Sequence, residues 1–125
     1  MTYRLFIDDE RDPRDVTWGK TWQENAMYRQ DDWVIALNWF DVIDIVVSLG
    51  FPETISFDHD LGKDERTGFD IAKRLCEMIM DGVHIPYDFR YFVHSKNPVG
   101  AENIHGYMDN FLEHYNSVDT QPESV

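Results

Sequence analysis

The sequence has little cysteine, little positive charge and no long apolar run. Its single cysteine, Cys76, excludes an internal disulfide and a zinc site built on several thiolates. Lysine and arginine number 11 against 24 aspartates and glutamates, which gives a formal net charge of −13. Extended nucleic-acid binding and anionic membranes both require positive surface, so neither partner is expected. No apolar run approaches the ~20 residues that span a bilayer, and the N-terminus lacks the apolar core of a signal peptide, so we expect a cytoplasmic protein.

The composition supports one folded domain. Hydrophobic residues make up 42% of the chain and aromatic residues 14%, which excludes disorder over most of its length. A chain of this size can bury roughly two thirds of its unfolded surface, which is enough for one core but not for two. We expect a single domain over residues 1–115 and a flexible polar tail over residues 116–125.

Short apolar segments alternate with helical patterns along the chain. Strands are predicted near residues 4–7, 33–37, 54–57 and 89–93, and helices near 39–49, 68–81 and 100–115. Residues 10–32 show no clean period and are predicted to form a long loop with at most a helical turn, held to the body by Trp18 and Trp22. The alternation predicts an α/β fold, with a mostly parallel sheet of about four strands between two layers of helices.

The spacing of apolar residues also predicts which face of each helix is buried. The expected buried positions are Phe40, Ile43 and Val47 in the first helix, Ile71, Leu75, Met78 and Ile79 in the second, and Ile104, Met108, Phe111, Leu112 and Tyr115 in the last.

Polar side chains follow three of the predicted strands at the point where each strand ends. Asp8 and Asp9 follow the first strand, Asp58 follows the third, and His94 follows the fourth. Ligands of parallel sheets bind at the carboxyl ends of the strands, so these side chains are expected side by side. Asp8, Asp9 and Asp58 offer the oxygen ligands that Mg²⁺ or Mn²⁺ prefers. The alternative is that the three aspartates are strand-end caps and turn residues on an acidic surface.

The residues after the fourth strand suit the chemistry of a phosphoryl group. Ser95 can donate a hydrogen bond to a phosphoryl oxygen and Lys96 can neutralise its charge. His94 can act as a general acid or base near neutral pH, although a structural hydrogen-bonding histidine is the simpler interpretation.

Two helix starts are candidate phosphate contacts. Asn97 and Gly100 lead into the last helix, where free backbone N–H groups form an anion site and glycine permits close approach. Thr67 and Gly68 open the preceding helix in the same way. An ordinary turn at Asn97 to Gly100, and a simple N-cap at Thr67, are the alternatives.

Taken together, these motifs resemble a response-regulator receiver domain, whose fold is a receiver-like (flavodoxin-like) three-layer sandwich. In receivers an acidic pair binds Mg²⁺, a third aspartate accepts a phosphoryl group, and a hydroxyl residue contacts that group. The resemblance assigns these roles to Asp8 and Asp9, to Asp58 and to Ser95. The sequence departs from usual receivers in having four predicted strands rather than five, and in placing Lys96 directly after the hydroxyl residue.

A closer resemblance is to the divergent receiver-like family that is predicted to process cyclic phosphates in RNA repair and conflict systems of bacteria and phages. It covers about residues 4–112 and rests on four segments in order: LFIDDERDP from Leu5, FDHDLG from Phe57, TGFDIA from Thr67 and HSKNPVGAEN from His94. It implies hydrolysis of a 2′,3′-cyclic or terminal phosphate. Arg11 follows the acidic pair and can reach a phosphate or form an ion pair with an acidic neighbour.

Three functions fit these residues. The first is a metal-dependent phosphoesterase acting on a phosphorylated small molecule or an RNA end, with Asp58 as a metal ligand or as a nucleophile. The second is a signalling module phosphorylated on Asp58. The third is a non-catalytic binding protein whose aspartate cluster is idle. The sequence leaves the substrate and the oligomeric state open.

Overall fold

The computed structural model describes residues 2–63 and 65–119. Within these residues nine elements follow one another: β1 (Arg4–Ile7), a 3₁₀ turn (Pro13–Asp15), α1 (Trp22–Met27), β2 (Trp33–Ala36), α2 (Trp39–Leu49), β3 (Thr54–Phe57), α3 (Gly68–Met80), β4 (Arg90–Val93) and α4 (Pro98–Asp119). The four strands form one sheet in the order β2-β1-β3-β4, and every pair is parallel. The predicted α/β fold with a mostly parallel sheet of about four strands is confirmed.

Alternation of side chains along the strands divides the core into two layers. Leu5 and Ile7 of β1 point to the face covered by α2, α3 and α4, where the larger apolar cluster lies. Phe6 points to the opposite face, where it packs with Val16 and Tyr28 from the segment around α1. Helical segments therefore cover both faces, as a parallel sheet requires.

The helix faces are predicted correctly for two of the three helices. The apolar positions named for α3 are all buried, and those named for α4 are buried or packed against the core. For α2 the prediction is wrong for two of its three residues. Ile43 packs against the core, but Phe40 and Val47 are 66% and 72% exposed, and Val42 and Val46 are buried instead. Almost all of α2 is apolar, so more than one stripe fits a 3.6-residue period and the spacing does not select between them.

Three further expectations about chain organisation need correction. The segment of residues 10–32, expected as a long loop with a helical turn, contains the 3₁₀ turn and a six-residue helix, α1, whose N-cap is Thr21, and is irregular elsewhere. Trp18 does anchor this segment, but Trp22 is 73% exposed and does not. The last helix runs from Pro98 to Asp119, past the boundary expected at residue 115, and residues 120–125 of the expected tail lie outside the described residues. Within the described residues, no helix combines the length and the apolar character needed to cross a membrane.

Gly68 fixes the distance between α3 and the end of β3. A Cβ atom at this position would lie 1.8 Å from the carbonyl oxygen of Asp58, and the Gly68 N–H donates to the carbonyl of His59 at 2.8 Å. Only a residue without a side chain allows the helix to start this close to the backbone that carries Asp58.

We therefore expect Gly68→Ala to lower the free energy of unfolding by about 1–3 kcal/mol, because the backbone must shift to remove the overlap. Gly106→Ala is the matched control, since Gly106 lies inside α4 with nothing within 4 Å of an added Cβ. The control should gain about 0.5–1 kcal/mol. Urea unfolding of both variants measures the difference, and an unchanged stability of Gly68→Ala would contradict the role given to this contact.

Candidate functional site

The ends of three adjacent strands bring Asp8, Asp58 and His94 together. Each is the first residue after its strand, and each backbone N–H donates to a carbonyl of the neighbouring strand at 3.0 Å. These bonds extend the sheet ladder by one residue and hold the three side chains at the same level. One ligand atom from each residue lies within 4.8 Å of the others, and all three residues are buried.

Asp8 has a full set of hydrogen-bond donors. One carboxylate oxygen, Oδ1, accepts the backbone N–H groups of Glu10 at 2.8 Å and Arg11 at 2.9 Å. The other, Oδ2, lies 2.9 Å from His94 Nε2. Burial by itself would raise the pKa of Asp8, but the hydrogen bonds from His94, Arg11 and Glu10 outweigh it, so the pKa lies below its ordinary value. Asp8 is therefore ionised.

Asp58 has the opposite environment. Among the described residues its carboxylate accepts one hydrogen bond, from the backbone N–H of His59 to Oδ1 at 2.9 Å. Burial raises the pKa of Asp58, and the negative charge of Asp8 raises it further. The two buried carboxylates lie side by side, and that of Asp58 accepts few hydrogen bonds. A cation bound between them would offset their repulsion.

The Arg11 guanidinium lies between these two carboxylates. Its Nη1 atom is 3.4 Å from Asp8 Oδ2 and 4.0 Å from Asp58 Oδ1. Both distances are longer than those of a well-formed charge-assisted hydrogen bond, which is about 2.7–2.9 Å. Arg11 thus supplies positive charge to the pair without satisfying either carboxylate completely.

His94 belongs to a buried chain of hydrogen bonds that ends on Asp8. The Tyr28 hydroxyl is 2.6 Å from Ser56 Oγ, and Ser56 Oγ is 2.7 Å from His94 Nδ1. Phe6 stacks on the imidazole ring at a centroid distance of 4.3 Å and an interplanar angle of 9°. All four residues are fully or almost fully buried, so the ring cannot turn without breaking several contacts.

The hydrogen bonds from Tyr28 through Ser56 indicate which nitrogen of the His94 ring carries the proton. Burial raises the pKa of Tyr28 far above its ordinary value, so the phenol is neutral and its buried O–H must donate or remain unsatisfied at a cost of about 1–3 kcal/mol. Its partner is Ser56 Oγ, so Ser56 in turn donates its own proton to His94 Nδ1. In this arrangement His94 Nδ1 accepts a hydrogen bond, and the proton on Nε2 points at Asp8 Oδ2.

The roles considered for His94 change accordingly. Both ring nitrogens are engaged with protein groups and the side chain is fully buried, so His94 does not reach a leaving group as a general acid. The geometry makes it a positioning residue that orients Asp8. As long as Nε2 carries the proton, it is a donor to Asp8 rather than a metal ligand, although it lies within reach of a metal site.

An open cleft of about 540 Å³ lies above the carboxylates. Its lining is charged and polar, and comprises Asp9, Glu10, Arg11, Asp58, Asp60, Gly62, Ser95, Lys96 and Asn97. Six of the predicted site residues are therefore found together, namely Asp9, Arg11, Asp58, Ser95, Lys96 and Asn97. Asp8 lies beneath them.

Ser95, Lys96 and Asn97 form the wall of the cleft that follows β4. Ser95 Oγ accepts the backbone N–H of Asn97 at 3.1 Å, which leaves the serine proton free to donate into the cleft. Asn97 caps α4 by accepting the Gly100 N–H at 2.9 Å and also donates to Asp60 at 3.1 Å. Lys96 lies 4.2 Å from the centroid of the Trp18 ring, which holds its ammonium group beside the cleft.

Three predicted substrate-binding residues lie outside the cleft lining and have structural roles. Thr67 caps α3 in a capping box with Asp70. Gly68 allows the close approach to Asp58 described above, and a Cβ at Gly100 would lie 2.2 Å from Cγ of His59. The Gly100 backbone packs against the histidine ring, so glycine is needed there for space.

Comparisons with known proteins agree with this architecture. A family model described as a cyclic-phosphate processing receiver domain matches residues 3–110. The chain belongs to this family. One solved structure, titled as a yeast Spc42 trimeric coiled-coil segment (amino acids 181–211) fused to another structure, matches with a TM-score of 0.52 at 16% identity, covering 96% of this chain and 85% of its own. At that identity the likeness concerns the fold alone. No curated protein matches the chain.

The fold and the family resemblance predicted for this cyclic-phosphate processing receiver domain are thus confirmed, whereas sequence reasoning missed two residues of its site. Ser56 and Tyr28 complete the chain of hydrogen bonds to His94. A signal for Ser56 exists, because it is a hydroxyl residue within a strand whose four residues are all buried. Tyr28 carries no comparable signal, since its segment showed no periodicity.

The residues of the receiver domain fit a divalent cation. Mg²⁺ and Mn²⁺ prefer carboxylate oxygens, and the site offers one oxygen each from the buried Asp8 and Asp58, with Asp9 on the cleft lining beside them. The Arg11 guanidinium already occupies the place of a positive charge between the two buried carboxylates. A small cation that binds both oxygens directly would satisfy Asp58 better than this distant contact does.

The tautomer of His94 is a prediction that NMR tests directly. We expect the ¹⁵N shifts of the His94 ring to show a protonated Nε2 and an unprotonated Nδ1 near neutral pH, because Ser56 donates to Nδ1. In Tyr28→Phe the serine loses its own donor and can accept instead, so the population with a protonated Nδ1 should rise. A protonated Nδ1 in the wild-type protein would contradict the assignment. His105 is the internal control, because its Nδ1 is hydrogen-bonded to the Tyr91 hydroxyl and has no contact with Tyr28 or Ser56, so its ring shifts should not change.

Proposed function

We propose that this receiver domain is a metal-dependent phosphoesterase that hydrolyses cyclic or terminal phosphates on nucleotides or RNA ends. The observation that carries the proposal is the meeting of two chemically different walls around one cleft. Buried carboxylates from the ends of β1 and β3 lie on one side, and the hydroxyl and ammonium groups of Ser95 and Lys96 lie on the other.

The carboxylate wall is the proposed metal site. Asp8 and Asp58 would hold Mg²⁺ or Mn²⁺, with Asp9 directly or through water. When bound, such a cation polarises a phosphoryl oxygen and stabilises the negative charge that develops on it. The hydrogen bonds from His94 and from the Glu10 and Arg11 backbone fix Asp8 in one orientation, so a cation would find this ligand already in place.

The opposite wall is the proposed phosphate site. The Ser95 hydroxyl has a proton to donate to a phosphoryl oxygen, and the Lys96 ammonium and Arg11 guanidinium add positive charge at the rim. In the hydrolysis, the oxygen of water becomes bonded to phosphorus and the bond from phosphorus to one ribose oxygen breaks. The proton that the water loses ends on the released ribose oxygen. Asp9 and Asp60 line the same cleft and are available to orient the water.

The charge of the chain limits the substrate. The formal net charge of −13 repels extended nucleic acid, and in the described part of the chain the basic residues that line the cleft are Arg11 and Lys96. One or two basic side chains match a single phosphate, so a nucleotide or the last residue of an RNA end is the expected substrate rather than a duplex.

The decisive experiment is a turnover assay with a 2′,3′-cyclic-phosphate-terminated oligonucleotide and free 2′,3′-cyclic nucleotides in the presence of Mg²⁺ or Mn²⁺. We expect metal-dependent hydrolysis that falls at least about 10²-fold in Asp58→Ala, because the variant loses a carboxylate that touches metal or substrate. Chromatography of the products identifies which ribose oxygen is released.

Asp44→Ala is the matched control, because Asp44 is an exposed aspartate of α2 away from the cleft, and it should keep full activity. Turnover retained in Asp58→Ala would remove this residue from the mechanism. Absence of turnover together with a stable adduct formed on Asp58 by acetyl phosphate would instead favour the signalling function.

A further inference from the structure

A second cavity runs along the open edge of the sheet and joins the cleft. This edge groove, of about 510 Å³, is lined by β4, by the segment around Trp18 and by the start of α4 at Ala101. Ser95 lines both the groove and the cleft, and the Trp18 ring on the groove lies beside Lys96 and Arg11 of the cleft. Because the two cavities share Ser95, a molecule whose phosphate lies in the cleft can place its remaining part in the groove.

The groove offers unpaired backbone groups. β4 is an edge strand, and the N–H groups of Arg90 and His94 donate to the carbonyls of Glu53 and Phe57 beside it. In a parallel pair alternate residues bond to the same neighbour, so the N–H and C=O groups of Tyr91 and Val93 face outward. No other segment among residues 2–63 and 65–119 pairs with this edge.

The shape of the groove selects a small flat ligand over a peptide strand. The Trp18 indole donates to the His94 carbonyl at 2.9 Å and closes the carboxyl end of the edge. The part of the β4 edge that remains open is short, and its outward backbone donors and acceptors belong to Tyr91 and Val93. Its surroundings are mainly apolar and aromatic, from Val16, Trp18 and Phe92. A nucleobase has this combination of a flat π-face with donors and acceptors along its rim.

We propose that the edge groove is a nucleoside subsite, which holds the base of the nucleotide whose phosphate lies in the cleft. The base would stack against the Trp18 side of the groove and form hydrogen bonds to the outward backbone groups of Tyr91 and Val93. The inference rests on the proposed function for the position of the phosphate, and it adds the place where the base of that nucleotide binds.

The test compares probes with and without a base. Adenosine and uridine 2′,3′-cyclic monophosphates, and glycerol 1,2-cyclic phosphate as the base-free probe, are titrated into the ¹⁵N-labelled full chain. The titrations are run once in EDTA, which prevents metal-dependent turnover, and once in Ca²⁺, which takes the same oxygen ligands. The nucleotides should shift the backbone amides of Tyr91 and Val93 and the indole N–H of Trp18, whereas glycerol cyclic phosphate should shift only signals of the cleft. The subsite would be overturned if glycerol cyclic phosphate shifted the Tyr91, Val93 and Trp18 signals as the nucleotides do. It would also be overturned if none of the three probes shifted the amides of β4.

A variant that fills the groove gives a second, independent measurement. Ala101→Phe places a ring in the groove and should reduce the preference for nucleotide over the base-free probe by at least about tenfold in Kd. Val99→Phe is the matched control, since Val99 is exposed on the same helix and does not line the groove. A preference kept by Ala101→Phe would contradict the proposal.

The two proposals fail in different ways. Nucleotide-specific shifts along β4 without hydrolysis of any substrate in Mg²⁺ would leave the subsite standing and remove the phosphoesterase. Hydrolysis of glycerol cyclic phosphate as fast as of the nucleotides, with no shifts along β4, would support the phosphoesterase and overturn the subsite.

Discussion

The repulsion between two buried carboxylates, Asp8 and Asp58, is the constraint around which this site is organised. The parallel pairing of β1 with β3 places both at the same level, because each continues the ladder by one residue. Water cannot screen them fully there, so the protein must supply positive charge, hydrogen bonds or a proton. Each surrounding residue supplies positive charge or hydrogen bonds to one or both of these carboxylates.

The two carboxylates are treated unequally. Asp8 receives two backbone N–H groups and the Nε2 proton of a histidine that is itself held by Ser56 and Tyr28, and its pKa is lowered. Asp58 receives one backbone N–H and a distant guanidinium, and its pKa is raised by burial and by Asp8. Asp8 has one weakly held position, the contact of Oδ2 with Arg11 at 3.4 Å, whereas Asp58 is incomplete. An incomplete carboxylate at the floor of an open cleft is where we expect a cation or a phosphoryl group to bind.

Much of this arrangement was predictable from local patterns. Short apolar runs predicted the four strands, and the polar residues that follow three of them marked the functional ends, which parallel topology then required to meet. The segment containing α1 was not predictable, because its six residues lack an apolar stripe and none of them is buried. The buried face of α2 was mispredicted because the helix is apolar on most sides.

The function of individual polar residues was harder to predict than their position. His94 was placed at the site by its strand, but its orientation depends on Ser56 and Tyr28, which are 38 and 66 positions away in sequence. Thr67 and Gly100 sit at helix starts beside the site, where a cap or a close backbone contact has the same sequence signature as a phosphate contact. Only three-dimensional contacts distinguish these cases.

The central claim is that Asp8 and Asp58 form a site for a divalent cation. A crystal structure of the wild-type protein in millimolar Mn²⁺, with an anomalous difference map, tests it most directly. We expect an anomalous peak ligated by one carboxylate oxygen of Asp8 and one of Asp58, with the Arg11 guanidinium displaced from between them and His94 still bonded to Asp8. A map without a peak at this position, with Arg11 still lying between the two carboxylates, would contradict the claim.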